Sequence, residues 1–188
     1  DGRIMFLDFG EASTKRIAYS ASFGQDSVSG EFERFVAPLL SKLDGIGVRE
    51  ASGVSICSKM GRSDAMHVLD PTLLLCKNDY INAFKADSHL VQNNLGNENS
   101  RFVFGYFLSA NMSVPWNEID AYCKEESCSF KLTTVYSDHG FPNMIYCDPT
   151  IPEWVGLMSN ASVVLTNSFH GTVFAIIMQR PFLVFLRV

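Results

Sequence analysis

Residues 163–185, V-V-L-T-N-S-F-H-G-T-V-F-A-I-I-M-Q-R-P-F-L-V-F, contain the pattern that decides the fold. Four residues that favour strands lead into the polar pair Asn167 and Ser168, and an almost wholly apolar stretch follows. Pro181 then ends that stretch before a second apolar run at 182–186. These lengths predict a strand, a helix of about three turns and a second strand, which together form one β-α-β unit.

The polar elbow between the predicted strand and helix is a candidate binding site. Asn167 or Ser168 can cap the helix, and the backbone N–H groups of its first turn then point outward. Open α/β sheets bind ligands outside the carboxyl ends of their strands, where His170 and Gly171 fall. A titratable imidazole at a helix N-terminus suits an anionic substrate. By spacing alone, His170 fits equally well as a histidine that completes the cap and hydrogen-bonds in the core.

Composition and charge limit the classes of function. The chain has 188 residues, 47% of them hydrophobic, with a formal net charge of −5 and no cluster of lysine and arginine. Because a surface that follows phosphates needs concentrated positive charge, we expect no nucleic-acid partner. No apolar run reaches the roughly 18–20 residues that span a bilayer. The G-x-G-x-x-G and P-loop patterns are absent from the sequence, which argues against dinucleotide or nucleoside triphosphate enzymes of those types.

The five cysteines show no metal-binding pattern. Their number is odd, and no pair or Cys/His cluster has zinc-like spacing. We therefore expect reduced thiols in a cytoplasmic protein, and no metal site. Cys123 and Cys128 lie five residues apart, so a bridge between them is the alternative. His67, His89 and His139 are isolated in the sequence, and we expect them on the surface or in loops.

Strand and helix patterns alternate along the whole chain. The predicted strands or extended segments lie at 16–23, 45–48, 66–69, 102–108, 131–136, 145–147, 163–166 and 182–186. This alternation, with short connections, predicts parallel sheets. A polar, asparagine-rich stretch interrupts it, so we divide the chain into a first region at 1–78, a polar linker at 79–100 and a second region at 101–188.

Four motifs, in this order, resemble those of the polysaccharide pyruvyl transferase family. They are Y-S-A-S-F-G at 19–24, G-V-R-E-x-S at 47–52, L-D-P-T-L-L-L at 69–75 and T-N-S-F-H-G at 166–171 with a following R-P-F. Members of that family resemble GT-B enzymes, in which two Rossmann-like lobes face each other across a cleft. The resemblance implies an α/β fold of GT-B-like type. Residues 1–78 would be the latter part of an incomplete N-terminal lobe, and 101–188 the C-terminal lobe.

The resemblance also implies an activity. The family transfers the enolpyruvyl carbons of phosphoenolpyruvate onto sugar hydroxyls, usually leaving a pyruvate ketal and releasing phosphate. We therefore expect a transferase of polysaccharide biosynthesis, for example of an exopolysaccharide, with phosphoenolpyruvate as co-substrate and no cofactor. The resemblance implies that the enzyme acts in the cytoplasm. A lipid-linked glycan substrate would bring it to the membrane surface. The sequence does not predict the oligomeric state. Because the first lobe would be incomplete, we expect the chain alone to be inactive.

The resemblance implies specific roles for individual residues in these motifs. His170 matches the family's motif histidine and is implied to be the general acid or base, a role that contributes typically about 10²–10⁴-fold. Arg49 matches the motif arginine implied to bind phosphoenolpyruvate, since a guanidinium fork suits a carboxylate or phosphate. The expected substrate-binding residues are Asn167, Ser168, Gly171, Ser22 and Gly24.

Other interpretations are compatible with the same residues. Phe169 stands where many relatives carry an arginine, which removes a possible second cation. Arg49 also fits an ion pair with Glu50 or a nearby aspartate, and Asp70 with Pro71 is typical of a turn. The alternative functions are a GT-B-like glycosyltransferase that uses a nucleotide sugar and a non-catalytic carbohydrate-binding relative, because a fold does not decide chemistry.

Overall fold

The structure is a computed structural model that describes residues 2–86, 101–108, 114–134 and 144–186. It divides the chain into two compact units, Asp1–Leu74 and Leu75–Val188. Each unit contains a parallel sheet, as the alternating pattern of strands and helices predicts. No helix within the described ranges has the length and apolar character that a membrane crossing requires.

The first unit is built on a three-stranded parallel sheet with the order β1–β2–β3. Its elements are a 3-10 helix at Gly2–Phe6, β1 at Ile17–Ala21, α1 at Gly30–Leu40, β2 at Gly45–Val48, α2 at Ala51–Lys59, β3 at Met66–His67 and a 3-10 helix at Pro71–Leu74. The central strand β2 is the most buried, and Val48 packs with Val36 and Leu40 of α1 in the core of this unit. The side chain of Ser29 caps α1 by accepting from the Phe32 N–H.

The second unit contains a five-stranded parallel sheet with the order β6–β5–β4–β7–β8. Its elements are α3 at Lys77–Phe84, β4 at Phe102–Phe107, α4 at Trp116–Glu125, β5 at Ser129–Thr134, β6 at Met144–Tyr146, α5 at Ile151–Asn160, β7 at Val163–Thr166, α6 at Phe169–Ile177 and β8 at Phe182–Val184. The chain adds strands outward from β4 on one side and then returns to add β7 and β8 on the other. The strand order therefore reverses between β4 and β7, and ligands of open α/β sheets bind at such a point.

The β-α-β unit predicted from residues 163–186 is confirmed. β7, α6 and β8 follow one another, and β7 pairs in parallel with β8 from Val164 opposite Phe182 to Thr166 opposite Val184. Val164 is fully buried in the core of the second unit, together with Phe104 of β4. A parallel strand that is buried from Val164 to Thr166 explains the continuous run of strand-favouring residues in the sequence.

The boundary between the two units lies earlier in the chain than the sequence predicted, because helix α3 belongs to the second unit. The start of the predicted linker at 79–100 is helical and belongs to the second unit. The Cys76 N–H donates to Asp79 Oδ2 at 2.8 Å, which caps the helix. Tyr80 is buried, and its ring lies 4.9 Å from that of Phe174 in α6. One buried aromatic side chain thus anchors a polar helix, while residues 87–100 lie outside the described part of the chain.

Candidate active site

Arg49 lies at the carboxyl end of β2, on the edge of the sheet where parallel strands bind ligands. Its N–H donates to the Ala21 carbonyl at 2.9 Å, which continues the pairing with β1 beyond the strand. Its Nη1 donates to Asp70 Oδ2 at 3.1 Å. The Arg49 side chain is 25% exposed and that of Asp70 only 4%. The guanidinium therefore contacts a buried carboxylate, and part of the Arg49 side chain is exposed to solvent.

Asp70 has hydrogen bonds to both of its carboxylate oxygens. Oδ1 accepts from the Thr72 N–H at 3.0 Å and from the Thr72 hydroxyl at 2.7 Å, while Oδ2 accepts from Arg49. The sequence predicted only a turn here, and the 3-10 helix Pro71–Leu74 does begin at this point. The structure adds that this turn fixes the partner of Arg49. The aspartate considered as an alternative partner for Arg49 is thus Asp70.

Glu50 connects the corner after β2 to the loop that carries Ser22 and Gly24. Its Oε1 accepts from the Phe23 N–H at 2.6 Å and from the Gly24 N–H at 3.4 Å. The Gly24 N–H also reaches Ser22 Oγ at 3.1 Å, and Gly24 has a φ of 66°, which favours glycine. Two predicted substrate-binding residues therefore lie at the same edge of the sheet as Arg49. Their role in binding stays a prediction.

His67 also lies at this edge, although no functional role is expected for it from the sequence. Its Nε2 is 2.9 Å from the Arg49 carbonyl oxygen. Because a carbonyl only accepts, this nitrogen carries the proton of the bond. This contact follows from the register of β2 and β3, in which Val48 pairs with His67. That register depends on tertiary structure and could not be obtained from spacing in the sequence.

Asn167 and Ser168 form the buried elbow between β7 and α6. Asn167 Oδ1 accepts from the Leu108 N–H at 2.9 Å, which ties the elbow to the end of β4. Ser168 Oγ accepts from the Gly171 N–H at 3.3 Å and caps α6, so of the two predicted caps Ser168 is the one used. The Gly171 amide, one of the first-turn N–H groups that were expected to point outward, is thus engaged within the fold. These contacts give Asn167 and Ser168 a structural role, and their contact with substrate remains a prediction.

Gly171 allows α6 to begin close against the sheet. A Cβ at this position would lie 3.1 Å from Tyr106 Cδ1 and would overlap Thr166 Oγ1. That hydroxyl already donates to the Tyr106 carbonyl at 2.6 Å and accepts from the Ser168 N–H at 3.0 Å. No larger residue fits without moving the helix. This close packing accounts for a glycine at position 171 without any role in ligand binding.

His170 differs from its motif neighbours because its side chain is exposed. Phe169, 47% exposed, stands beside it with ring centroids 5.2 Å apart at 85°. His170 also lines a cavity of about 420 Å³ at the carboxyl ends of β4 and β5, together with Asp148 and Trp154. Within the described residues, no group of three or more His, Cys, Asp or Glu could hold a metal ion. The arrangement offers a partly exposed cation in the first unit and an exposed imidazole in the second.

Solved structures share this fold at low sequence identity. The chain matches the wall teichoic acid polymerase TagF with a TM-score of 0.50 at 15% identity, over 91% of this chain and 47% of that one. It matches the UDP-GlcNAc 2-epimerase of Neisseria meningitidis, bound to UDP-GlcNAc, with a TM-score of 0.54 at 14% identity, over 78% of this chain and 45% of that one. The chain thus spans about half the length of these structures. The predicted α/β fold of GT-B-like type, with Rossmann-like parallel sheets, is confirmed.

Family-level comparison is more specific than these structural matches. No curated protein sequence matches the chain significantly. The profile of the polysaccharide pyruvyl transferase family, however, matches residues 2–187, which is nearly the whole chain and includes all four motifs. The chain therefore belongs to the polysaccharide pyruvyl transferase family.

Proposed function

We propose that this protein transfers the pyruvate group of phosphoenolpyruvate onto two hydroxyls of a polysaccharide or glycan precursor, giving a pyruvate ketal and phosphate. Membership of the family supports a transferase of polysaccharide biosynthesis. The donor, the ketal and a cytoplasmic site of reaction are parts of the proposal. The cysteines Cys57, Cys76, Cys123, Cys128 and Cys147 are free thiols, which is compatible with a reducing compartment.

The exposed His170 side chain is the observation that carries the proposal. Asn167, Ser168 and Gly171 of the same motif are buried and hydrogen-bonded within the fold. The motif therefore offers His170 as its titratable group accessible to a substrate. An imidazole can exchange a proton at neutral pH, which the chemistry of an enol ester requires.

The proposed reaction balances with one donor and two hydroxyls. His170 gives a proton to C3 of phosphoenolpyruvate, which makes C2 electrophilic, and a sugar hydroxyl oxygen forms a bond to C2. The bond between C2 and the phosphate oxygen then breaks, and phosphate leaves with the electron pair. The second hydroxyl oxygen closes the ketal. Of the two hydroxyl protons, one restores His170 and the other leaves with phosphate.

Arg49 is the proposed binding residue for the anionic donor. A guanidinium matches a carboxylate or phosphate bidentately, and a quarter of this side chain is exposed to solvent. Asp70 restricts the orientations that the guanidinium can adopt. We therefore assign Arg49 to binding of phosphoenolpyruvate and His170 to proton transfer.

The proposal is tested on the full-length protein with phosphoenolpyruvate and a panel of hexosides, with phosphate release followed alongside the mass of the sugar product. We expect phosphate release to accompany a mass increase of one pyruvate ketal. Arg49→Gln should raise KM for phosphoenolpyruvate by about tenfold or more, and Arg49→Lys, which keeps the charge but loses the fork, should be intermediate. Turnover of a nucleotide sugar without any turnover of phosphoenolpyruvate would contradict the proposal and favour a glycosyltransferase.

A further inference from the structure

The cavity beside His170 has the position and size of a ligand site. It lies at the carboxyl ends of β4 and β5, next to the point where the strand order of the second unit reverses. Its volume of about 420 Å³ falls within the range of roughly 300–1,000 Å³ that small-molecule sites occupy. Its chemically informative lining residues are Tyr106, Thr133, Thr134, Asp148, Trp154 and His170.

The charge of the cavity disfavours a phosphorylated ligand. The described residues that line it include no lysine or arginine. Asp148 is the carboxylate among them, and its side chain is exposed without a hydrogen-bond or ion-pair partner in the described part of the chain. A carboxylate repels phosphate but accepts well from hydroxyl groups, and among the described lining residues only His170 can carry a positive charge. Nucleotides, and the phosphate group of phosphoenolpyruvate, are therefore poor candidates for the part of the cavity beside Asp148, whereas C3 of phosphoenolpyruvate must still reach His170.

The remaining walls suit a neutral ring that carries hydroxyls. Thr133 Oγ1 donates to the Cys147 carbonyl at 3.2 Å, so its oxygen is oriented and still has acceptor capacity. Trp154 packs edge to face against Tyr106, with centroids 5.2 Å apart, and against Phe174, with centroids 4.9 Å apart. These contacts hold the indole in place. A partly exposed, fixed indole offers an apolar surface to the C–H face of a ring.

We propose that this cavity binds a neutral pyranose ring of the acceptor glycan. Asp148 accepts hydrogen bonds from ring hydroxyls, Trp154 packs against the C–H face of the ring, and the hydroxyls to be modified face His170. The inference rests on the proposed function and extends it, because it assigns residues to the acceptor. Asp148 is thereby a specificity-determining residue, whereas Arg49 serves the anionic donor.

Binding of sugars without the donor tests the inference directly. Saturation-transfer NMR is recorded for the full-length protein with methyl glucoside, galactoside, mannoside and N-acetylhexosaminides, in the absence of phosphoenolpyruvate. We expect at least one of these pyranosides to bind and Asp148→Asn to weaken its binding by about tenfold or more. Glu125→Gln is the matched control, since it also removes an exposed carboxylate from the second unit but lies on α4, away from the cavity. This control should bind the sugar as the parent protein does.

Competition experiments show whether the cavity binds neutral sugars in preference to anions. Neither phosphoenolpyruvate nor UMP should displace the bound pyranoside, because both are anions. Displacement by either one, absence of binding by every pyranoside, or parent-like binding by Asp148→Asn would overturn the inference.

The inference and the proposed function can fail separately. Binding of a pyranoside that depends on Asp148, without any phosphate release from phosphoenolpyruvate, would support the sugar site and refute the transfer. Phosphate release with an acceptor KM that Asp148→Asn leaves unchanged would support the transfer and refute the sugar site.

Discussion

Arg49 and Asp70 form an ion pair across 21 positions of sequence, with Nη1 and Oδ2 3.1 Å apart. Asp70 is almost completely buried, and Thr72 occupies its other oxygen. The position of the candidate donor-binding guanidinium is therefore set by the turn that follows β3. If Arg49 binds the donor as proposed, Asp70 acts through Arg49 as a positioning residue.

The substitution Asp70→Asn should distinguish a role of Asp70 in positioning Arg49 from a role in stabilising the fold. The amide can still accept from Thr72 through its oxygen, but its NH₂ group cannot accept from Arg49. We expect KM for phosphoenolpyruvate to rise by about tenfold with a smaller change in kcat, and the free energy of unfolding to fall by about 1–3 kcal/mol. Thr72→Val is the control, since it removes one bond to Asp70 and leaves the contact with Arg49. An Asp70→Asn enzyme with the parent KM would show that the pair serves stability alone.

Gly171→Ala should destabilise the second unit. Its Cβ would lie 3.1 Å from Tyr106 Cδ1 and would overlap Thr166 Oγ1, so α6 must shift away from the sheet. Overpacking of this kind costs typically about 1–3 kcal/mol. At Gly30, the first residue of α1, the nearest atom to a Cβ is Arg34 Nη1 at 3.8 Å, so Gly30→Ala should be tolerated. Equal urea midpoints for the two variants would contradict this account of Gly171.

Phe169→Ala should impair His170 without unfolding the chain. The two rings are in edge-to-face contact, which restricts the orientation of the imidazole. We expect kcat to fall several-fold, with KM for phosphoenolpyruvate and the melting temperature almost unchanged. Ile176→Ala is a suitable control, because Ile176 is about as exposed as Phe169 and lies on the same helix, but away from the motif. Equal effects of both substitutions on kcat would count against a specific role for Phe169.

Thiol labelling should follow burial and pKa. Burial raises the pKa of the Cys57 thiol, and burial with a hydrogen bond to Cys128 raises the pKa of Cys123 to about 12. A raised pKa lowers the thiolate fraction at pH 8, and the thiolate is the reactive form. We therefore expect iodoacetamide to modify the exposed Cys76 first and to modify Cys57 and Cys123 only after urea unfolding. Rapid modification of Cys123 in the native protein, measured by peptide mass, would contradict its placement.

Local patterns predicted the elements that hold the candidate site. The β7–α6–β8 unit was recognised because a buried parallel strand, a polar cap and an apolar helix each leave a signal within a few residues. A cap at Asn167 or Ser168 and His170 at the start of the helix follow from the same stretch, and the structure selects Ser168. This stretch alone does not show which motif residues are buried within the fold and which remain accessible. Gly171 is required by contacts with Thr166 and Tyr106, which belong to two different strands.

Contacts set by tertiary structure could not be predicted in this way. Asp70 and His67 reach Arg49 only because β2 and β3 pair in a particular register. Helix α3 was missed because half of its eight residues are polar, and its packing depends on Tyr80 meeting Phe174. Both cases involve partners far apart in the sequence, where local propensity carries no information.

The most direct test of the account is phosphate release from phosphoenolpyruvate, with an accepted sugar, by the full-length protein and its His170→Ala variant. His170 is exposed, so its removal should leave the melting temperature unchanged. Loss of positioned proton transfer should lower kcat by about 10²–10⁴-fold. Parent-like phosphate release by a folded His170→Ala protein would contradict the central role of this histidine in pyruvyl transfer.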